Sequence, residues 1–323
     1  MAGAATAAGV VVVGSFNVDH VWHCATLPRP GETLAGTYAS GPGGKGFNQA
    51  VASARAGAAT TFVCALGEDA GAQLARALAV ADGIDLRERR SDAPTGTAGI
   101  YVDADGRNSI LIGPGANALL DVAFVELQRD RLGAARVVLV QRESPADAVA
   151  AALRIAREHG ATTMLNPAPA NAEVDATLLA LADIATPNET EFAALVARHL
   201  GETLDPQTVT TLDDGSLHAT CRRLLPHGTV VVTLGEAGAF VSHHGGALRG
   251  DDRACYRVPA APAKAIDTTG AGDAFSGALA ASLAQREVAF ETHMGFAARF
   301  AARSTEHAGA ATAMPLMTPA EAD

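Results

Sequence analysis

The sequence contains few of the residues that build several common kinds of protein. Of its 323 residues only 4% are aromatic. It has 24 Lys and Arg but 35 Asp and Glu, which gives a net charge of -11. The shortage of positive charge argues against nucleic acid and anionic membrane surfaces, because both require a basic face. No apolar run approaches the roughly 18 residues needed to span a bilayer. We therefore expect neither a nucleic-acid nor a membrane partner.

Cysteine is also scarce, and the four cysteines are spread widely along the chain as Cys24, Cys64, Cys221 and Cys255. No C-x-x-C pair occurs, which argues against both a zinc knuckle and a disulfide framework. The N-terminal MAGAATAAG has no basic residue and no leucine-rich stretch, so we expect a frayed tail and no secretory signal. These features favour a cytoplasmic protein.

Apolar residues are plentiful, at 48% of the sequence, and 33 residues are glycine. Strand-like apolar runs alternate with helical patterns, which predicts a mostly parallel sheet covered by helices on both faces. Ligands of such sheets bind beyond the carboxyl ends of the strands. The predicted strands are 10–14 and the runs that begin at Thr60, Arg136, Ala161, Asp183 and Thr229; the predicted helices are 48–57, 72–81, 121–133, 145–159, 189–199, 272–285 and 290–305.

Two segments depart from this alternation. GTAGIYVD and NSILIG are short β-like runs separated by the turn 104–107, which predicts a hairpin. The stretch 201–216 has little apolar periodicity and is interpreted as a surface loop or insertion. Elsewhere several predicted strands end in polar or glycine-containing sequence, as at Gln141-Arg142-Glu143 and Asn166-Pro167. We expect these ends to converge on one edge of the sheet.

The first glycine-rich motif is GPGGKGFNQA, residues 41–50. Bare backbone before a helix lets N–H groups approach a hydroxyl or a phosphate closely. The motif also fits the dinucleotide pattern G-x-G-x-x-G, but no buried strand precedes it, so the context that pattern requires is missing. It does not fit G-x-x-x-x-G-K-[ST] either, because Gly46 follows Lys45. An ordinary turn before a helix remains an alternative.

The second motif, DTTGAGDAFSGAL at residues 267–279, is more informative. Its glycines lead directly into a helix, so the N–H groups of Ala271, Gly272 and Asp273 are predicted to point outward and bind an anion at the positive end of the helix dipole. A carboxylate at that point would repel phosphate unless it takes a proton from an attacking hydroxyl. The alternative for Asp273 is a plain helix N-cap.

Together these motifs resemble the ribokinase or phosphofructokinase B-type carbohydrate kinases. GSFNVD, PRPGET, GGKGFNQAVASARAGA, GANALL, QRESP, NPAPA, TPNETE, VVTLGEAGA and DTTGAGDAFSGAL follow one another in the order typical of that family. The resemblance implies one ribokinase-like kinase domain over 1–323. Its three-layer α/β/α core would have a mostly parallel central sheet, with a small β-sheet lid formed by about 16–40 and 96–112. It also implies an ATP-dependent kinase for the primary 5-hydroxyl of ribose.

The resemblance further implies a role for each matching residue. Asp273 would be the general base, with Gly270, Ala271 and Gly272 completing an anion hole. Asn188 and Glu191 would organise Mg²⁺ and the phosphates, and a monovalent cation, usually K⁺, would bind near Asp267 and Thr269. The sugar contacts would be Asn17, Asp19, Gly43, Gly44, Lys45, Asn48 and Glu143; the ATP contacts would include Thr233, Gly235 and Gly238.

Several alternatives stay open. From the sequence pattern alone, Glu143 could be a solvated loop acid, and Asn188 with Glu191 could be only a helix cap. Phe47 stands where the family generally has a small residue and could reshape the sugar pocket, so deoxyribose, another pentose, a nucleoside or a hexose compete with ribose. A non-catalytic sugar sensor on the same fold is a further alternative. The resemblance also implies a homodimer formed through the lid, which would bury Val18, Val21 and Ile100.

Overall fold

The computed structural model describes residues 9–318, so all but the last residue of the predicted N-terminal tail lies outside the described residues. The strands are β1 (Val10–Val13), β2 (Asn17–His23), β3 (Thr37–Gly43), β4 (Thr60–Leu66), β5 (Asp85–Arg90), β6 (Gly96–Val102), β7 (Asn108–Gly113), β8 (Val137–Val140), β9 (Thr162–Leu165), β10 (Ile184–Ala185), β11 (Thr229–Thr233), β12 (Ala239–Ser242) and β13 (Cys255–Val258).

The helices, in chain order, are α1 (Lys45–Arg55), α2 (Ala70–Ala81), α3 (Val122–Glu126), α4 (Arg129–Ala134), α5 (Ala146–Glu158), α6 (Ala176–Leu179), α7 (Glu189–Leu200), α8 (Pro206–Val209), α9 (Asp214–Leu224), α10 (Ala271–Gln285) and α11 (Phe290–Ser304). None of these helices is both long enough and apolar enough to cross a bilayer.

The large sheet has the strand order β13-β12-β11-β10-β9-β8-β1-β4-β5. It is parallel from β11 to β5, and only β12 and β13 run antiparallel. Val10 and Val12 of β1 pack with α1, α2, α10 and α11 on one face, whereas Val11 and Val13 pack with α5, α7 and α9 on the other. A strand buried on both faces is continuously apolar, which explains the run VVVV. The predicted three-layer α/β/α fold is confirmed.

A separate small sheet has the order β3-β2-β6-β7. The strands β6 and β7 form the predicted hairpin, and β2 pairs with β6 in parallel. Of the two predicted lid segments, the second, 96–112, closely matches the span of β6 and β7. The first segment, however, continues past residue 40 to Gly43, directly before α1.

Three local predictions differ from the structure. The helix predicted from Asn48 begins at Lys45, because Gly44, with a φ of 88°, turns the chain tightly against residues 15–17. The helix predicted over 121–133 is interrupted at Gln128, where the backbone leaves helical geometry. The stretch 201–216 is not a plain loop, since it contains α8 and the beginning of α9. Asp205 and Asp213 accept hydrogen bonds from the first turns of these helices.

Candidate active site

Polar residues meet where α1 and α10 begin, beyond the carboxyl ends of the central strands. They border a cleft of about 140 Å³. The predicted convergence of strand ends is therefore confirmed for Asn166 and Asn188, which follow β9 and β10. The cleft is lined by Lys45, Asn166, Ala168, Thr186, Asn188, Glu191, Thr233, Thr268, Gly270, Ala271, Gly272 and Asp273. A larger depression of about 340 Å³ beside Arg89 and Arg90 contains no predicted site residue.

Asp273 is the third residue of α10, and its side chain is buried. Asn48 Nδ2 donates to Asp273 Oδ2 at 2.9 Å, and Gln49 Nε2 donates to Asp273 Oδ1 at 2.8 Å. Burial raises the pKa of Asp273 above its usual value, while nearby Lys45 and these two hydrogen bonds oppose the rise. The alternative of a plain helix cap is not supported, because the cap position belongs to Gly270 and the Asp273 side chain bonds to α1 instead.

The helix beginning offers two free amide donors rather than three. Ala271 N–H donates to the Thr268 carbonyl at 3.1 Å, so the prediction of an outward-pointing N–H was wrong for Ala271. Within residues 9–318, the N–H groups of Gly272 and Asp273 have no such acceptor. Gly270 has a φ of 75°, and a Cβ there would lie 2.9 Å from Ala310 Cβ. That glycine is required by both the turn and its packing.

Lys45, the first residue of α1, is the cation of the cleft. Burial by itself would lower the pKa of its ammonium, but Asp273, Glu143 and Glu191 together raise the pKa above its usual value. Glu143 is not a solvated loop acid, because its Oε2 accepts from Ser15 Oγ at 2.6 Å and from Lys45 N–H at 3.0 Å. The positive charge of Lys45 therefore lies within a group of carboxylates.

Asn17 and Asp19 lie on β2, next to this cleft. Asn17 is buried, and its Oδ1 accepts from Asn117 Nδ2 at 2.8 Å. The Asp19 carboxylate occupies the space beside Gly43, where a Cβ would lie 2.1 Å from Asp19 Oδ2. Burial, followed by the charges of Glu143 and Asp273, raises the pKa of Asp19 to about 7. Asn48 Oδ1 is buried with no hydrogen-bond partner within residues 9–318.

Asn188 and Glu191 form the helix cap that the sequence allowed. Asn188 Oδ1 accepts from Glu191 N–H at 2.8 Å, and Glu191 Oε2 accepts from Asn188 N–H at 2.9 Å. This reciprocal pair is a capping box at the beginning of α7. Both residues also line the cleft, and burial raises the pKa of Glu191. Capping therefore does not remove them from the site.

The predicted ATP contacts divide into two groups. Thr233 lines the cleft. Gly235, two residues further along the chain, is exposed and has a φ of 53°. Gly238 differs, since a Cβ there would lie 2.0 Å from the Val258 carbonyl oxygen, and its own N–H and C=O both close the turn between β11 and β12. Its missing side chain is explained by packing against β13, and its role as an ATP contact stays a prediction.

Asp267 and Thr269 belong to the loop before α10. Asp267 Oδ1 accepts from Thr269 N–H at 2.9 Å, and its Oδ2 accepts from Gly309 N–H at 2.8 Å. The carboxylate thus ties this loop to the turn that follows α11. Within residues 9–318, His, Cys, Asp and Glu form no cluster of three or more that could hold a metal ion.

Phe47 does not reach the cleft. Its ring is fully buried and packs 5.0 Å from Phe16 and 5.7 Å from Phe62, measured between ring centroids. The three rings fill the space between α1 and the large sheet. The interpretation of Phe47 as a residue that reshapes the pocket is therefore wrong, because beginning α1 at Lys45 directs this side chain into the core.

We expect Phe47→Ala to lower the free energy of unfolding by about 3–5 kcal/mol, the usual cost of removing a buried ring. The relative activity towards different sugars should not change. Chemical denaturation and a sugar panel at saturating ATP measure the two quantities, with Phe47→Leu as the milder control. A changed sugar preference without a loss of stability would contradict the core assignment.

A model of the pfkB family of carbohydrate kinases matches residues 7–317. The chain belongs to this family. Over 312 residues it is 38% identical to the bifunctional ribokinase/ribose-5-phosphate isomerase A of Fructilactobacillus sanfranciscensis, covering 95% of this chain but only 54%, about half, of that protein. It is 34% identical to the ribokinase of Schizosaccharomyces pombe over 95% of this chain and 94% of that one. The structure of Arabidopsis thaliana ribokinase complexed with ribose and ATP has a TM-score of 0.80, 31% identity and 95% coverage of both chains.

Proposed function

We propose that this carbohydrate kinase transfers the γ-phosphoryl group of ATP to the primary 5-hydroxyl of D-ribose, and that all 323 residues act as one kinase domain. The observation that carries the proposal is the placement of the buried Asp273 carboxylate beside the free N–H groups of Gly272 and Asp273. A base and two anion donors at one helix beginning serve a reaction in which a hydroxyl attacks a phosphoryl group.

The sugar would bind between β2 and the beginning of α1. Asn48 Oδ1 is buried without a partner, and a sugar hydroxyl would supply the missing donor. The Asp19 carboxylate can accept hydrogens from two neighbouring hydroxyl groups. The missing side chain of Gly43 leaves room for the Asp19 carboxylate itself. Gly43, Gly44, Asn17, Lys45 and Glu143 complete the proposed set of sugar contacts.

The phosphates would bind over the beginning of α10. Gly272 and Asp273 would donate their N–H groups, and Lys45 would compensate negative charge from the opposite side of the cleft. Thr233, Gly235 and Gly238 would contact the rest of ATP. The Asp273 carboxylate would accept the proton of the attacking hydroxyl, and its raised pKa favours that transfer.

The residues present fit an Mg²⁺ ion held mainly by phosphate oxygens and water, the environment that this ion prefers. Glu191 lines the cleft, and no donor contacts its Oε1 within residues 9–318, so this oxygen could receive such a water. Bound Mg²⁺ would neutralise charge on the phosphates. For K⁺, the loop at Asp267 and Thr269 would supply oxygen ligands; we propose that this ion stabilises the loop.

The small sheet would act as a lid over the sugar and as the contact in a homodimer. By pairing and alternation, Val21, Ile100, Ile110 and Ile112 lie on the same face as Asp19. Val18 lies on the opposite face and packs against the core, so including it in the dimer surface was wrong. Ile110 and Ile112 are exposed, which leaves an apolar surface that a second copy could cover. A cytoplasmic location also stays a proposal, supported by four unpaired cysteines.

We expect ribose to bind more weakly as the pH falls below about 7. The ionised Asp19 carboxylate accepts hydroxyl hydrogens, and in the free protein it becomes protonated near pH 7. Because ribose prefers the ionised form, its Kd should rise on the acid side, by about tenfold in total between pH 8 and pH 6. Calorimetric titration between about pH 8 and 6 measures this change.

The matched control for the pH dependence is Asp19→Asn, which keeps the shape of the side chain but removes its titration. This variant should bind ribose more weakly at neutral pH, with a Kd that hardly varies with pH. A wild-type Kd that stays constant across the same range would rule out Asp19 as the titrating contact.

The proposed function is tested by ATP turnover with ribose, 2-deoxyribose, fructose and adenosine in the presence of Mg²⁺ and K⁺. We expect the highest kcat/KM with ribose. A higher value with another sugar would move the proposal to that substrate and leave the chemistry in place. Ribose binding with no turnover of any sugar would support the sensor alternative.

A further inference from the structure

A chain of buried amide side chains lies beneath Asp273. Gln141 Nε2 donates to Gln49 Oε1 at 2.5 Å, and Gln49 Nε2 donates both to Asn166 Oδ1 at 3.0 Å and to Asp273 Oδ1 at 2.8 Å. Gln49 and Gln141 are fully buried, and Asn166 is 6% exposed. The sugar and phosphate contacts proposed above include none of these three amides.

The orientation of the Gln49 amide is determined by its neighbours. Its oxygen accepts from Gln141, so both hydrogens of its nitrogen are available for Asn166 and Asp273. Asn166 in turn donates to the Thr186 carbonyl at 2.8 Å, which leaves its own oxygen facing Gln49. A reversed Gln49 amide would place an oxygen against two acceptors.

This network connects Asp273 to the central sheet. Gln141 follows β8 directly, Asn166 follows β9, and Thr186 follows β10. Gln49 lies on α1 and joins these strand ends to α10. The carboxylate is thereby held relative to three neighbouring strands, in addition to its own helix.

Gln49 differs from the other amide that contacts Asp273. Asn48 donates to Asp273 but keeps a buried oxygen without a partner, which suits a contact with substrate. Gln49 has no surface exposure, and its oxygen and both hydrogens are already used within the protein. It can therefore act on the reaction only through the groups it bonds to, and Asp273 is the one among them with a proposed role in the chemistry.

We propose that Gln49, oriented by Gln141, is a positioning residue that holds Asp273 in the geometry and ionised state required of the base. This inference rests on the proposed function of Asp273. A hydrogen bond to a carboxylate favours the charged form, and the bond from Gln49 lowers the pKa of Asp273 against the opposing effect of burial. A misplaced catalytic group can cost about 100-fold in rate even when the error is about 1 Å.

The test is Gln49→Leu, measured by kcat, the KM for ribose, the pH profile of kcat and thermal unfolding. We expect kcat to fall by about 10- to 100-fold with the KM changed by less than about threefold, because no substrate contact is removed. The acid limb of the kcat profile should move to higher pH, because Asp273 loses a donor that favours ionisation. A purely structural role would not move that limb.

The matched control is Ser53→Ala, one turn further along α1. Ser53 Oγ donates to the Gly277 carbonyl at 3.0 Å, so this variant also removes a buried hydrogen bond between α1 and α10 without touching Asp273. Its stability should fall while its pH profile stays that of the wild type. If Gln49→Leu does not fold, Gln141→Met removes the group that orients Gln49 and should give smaller changes in the same directions.

The outcomes separate the two proposals. Full activity of Asp273→Asn would overturn the proposed base, whatever the Gln49 variants do. An inactive Asp273→Asn protein together with a folded Gln49→Leu protein that has wild-type kcat and pH profile would overturn the role of Gln49 alone. If only Gln141→Met folds, the same wild-type values from that variant would count against the proposal.

Discussion

Asp273→Asn is expected to lower kcat by about 10²- to 10⁴-fold, the range that a positioned general base contributes. The amide keeps the shape of the side chain but cannot accept the proton of the attacking hydroxyl. The KM for ribose should change much less, because the proposed sugar contacts remain. Steady-state kinetics of ribose phosphorylation at saturating ATP measure both quantities.

Thermal unfolding supplies the control for this variant. At neutral pH, burial makes the ionised Asp273 carboxylate costly, as its raised pKa indicates. Removing the charge offsets the one hydrogen bond that an amide nitrogen cannot accept from Asn48 or Gln49, so the stability of Asp273→Asn should be close to that of the wild type. A loss of activity explained by unfolding is then excluded. Wild-type kcat in a well-folded Asp273→Asn protein would show that another group accepts the proton.

Gly272→Ala is expected to lose activity without losing stability. A Cβ at Gly272 would meet no atom within 4 Å, and its backbone is helical, so alanine should fold at least as well and could gain about 0.5–1 kcal/mol. The methyl group would stand beside free N–H groups where the phosphoryl group must approach. We expect kcat to fall by about 10²-fold or more, comparable to the loss of one oxyanion donor.

The matched control is Gly295→Ala on α11, another helical glycine with room for a Cβ, where the nearest atom is Arg299 Nη1 at 3.6 Å. This residue does not line the cleft. The control should keep its activity and melt at the same temperature as the wild type or slightly higher, since it makes the same helical glycine-to-alanine change. A Gly272→Ala protein that melts at a lower temperature but keeps its wild-type kcat would contradict the assignment of open space to the phosphates.

Much of the fold follows from local patterns. Continuous apolar runs such as VVVV and TTFVCAL predict strands buried on both faces, and the structure confirms their place in a mostly parallel sheet. β5 was missed because it forms one edge of that sheet and consists of DLRERR, which has no apolar alternation. α8 was also missed, although Asp205 before Pro206 is a typical beginning of a helix.

The candidate site was predictable only in part. Asp273, Lys45 and Asn48 lie in distinctive glycine-rich motifs, and the structure brings them together. Gln49 and Asn166 also lie in the quoted segments GPGGKGFNQA and NPAPA, but the sequence assigned neither of them a role, because a single polar residue in a helix or after a strand is common. Their hydrogen bonds join positions 117 and 224 residues apart, so they depend on which strands become neighbours.

The directions in which individual side chains and N–H groups point could not be predicted from the sequence either. Moving the beginning of α1 by three residues, from Asn48 to Lys45, turns Phe47 from a supposed pocket residue into part of the core. Ala271 likewise looked like an anion donor until its N–H was found to bond to Thr268. Both depend on the exact turn made by a glycine.

The central claim is phosphoryl transfer from ATP to the 5-hydroxyl of ribose, and phosphorus NMR of the reaction mixture tests it most directly. Incubation with ATP, ribose, Mg²⁺ and K⁺ should produce ADP and one phosphomonoester whose phosphorus couples to the two hydrogens of the C5 methylene group. Release of inorganic phosphate alone, or a product whose phosphorus couples to a single sugar hydrogen, would contradict the account.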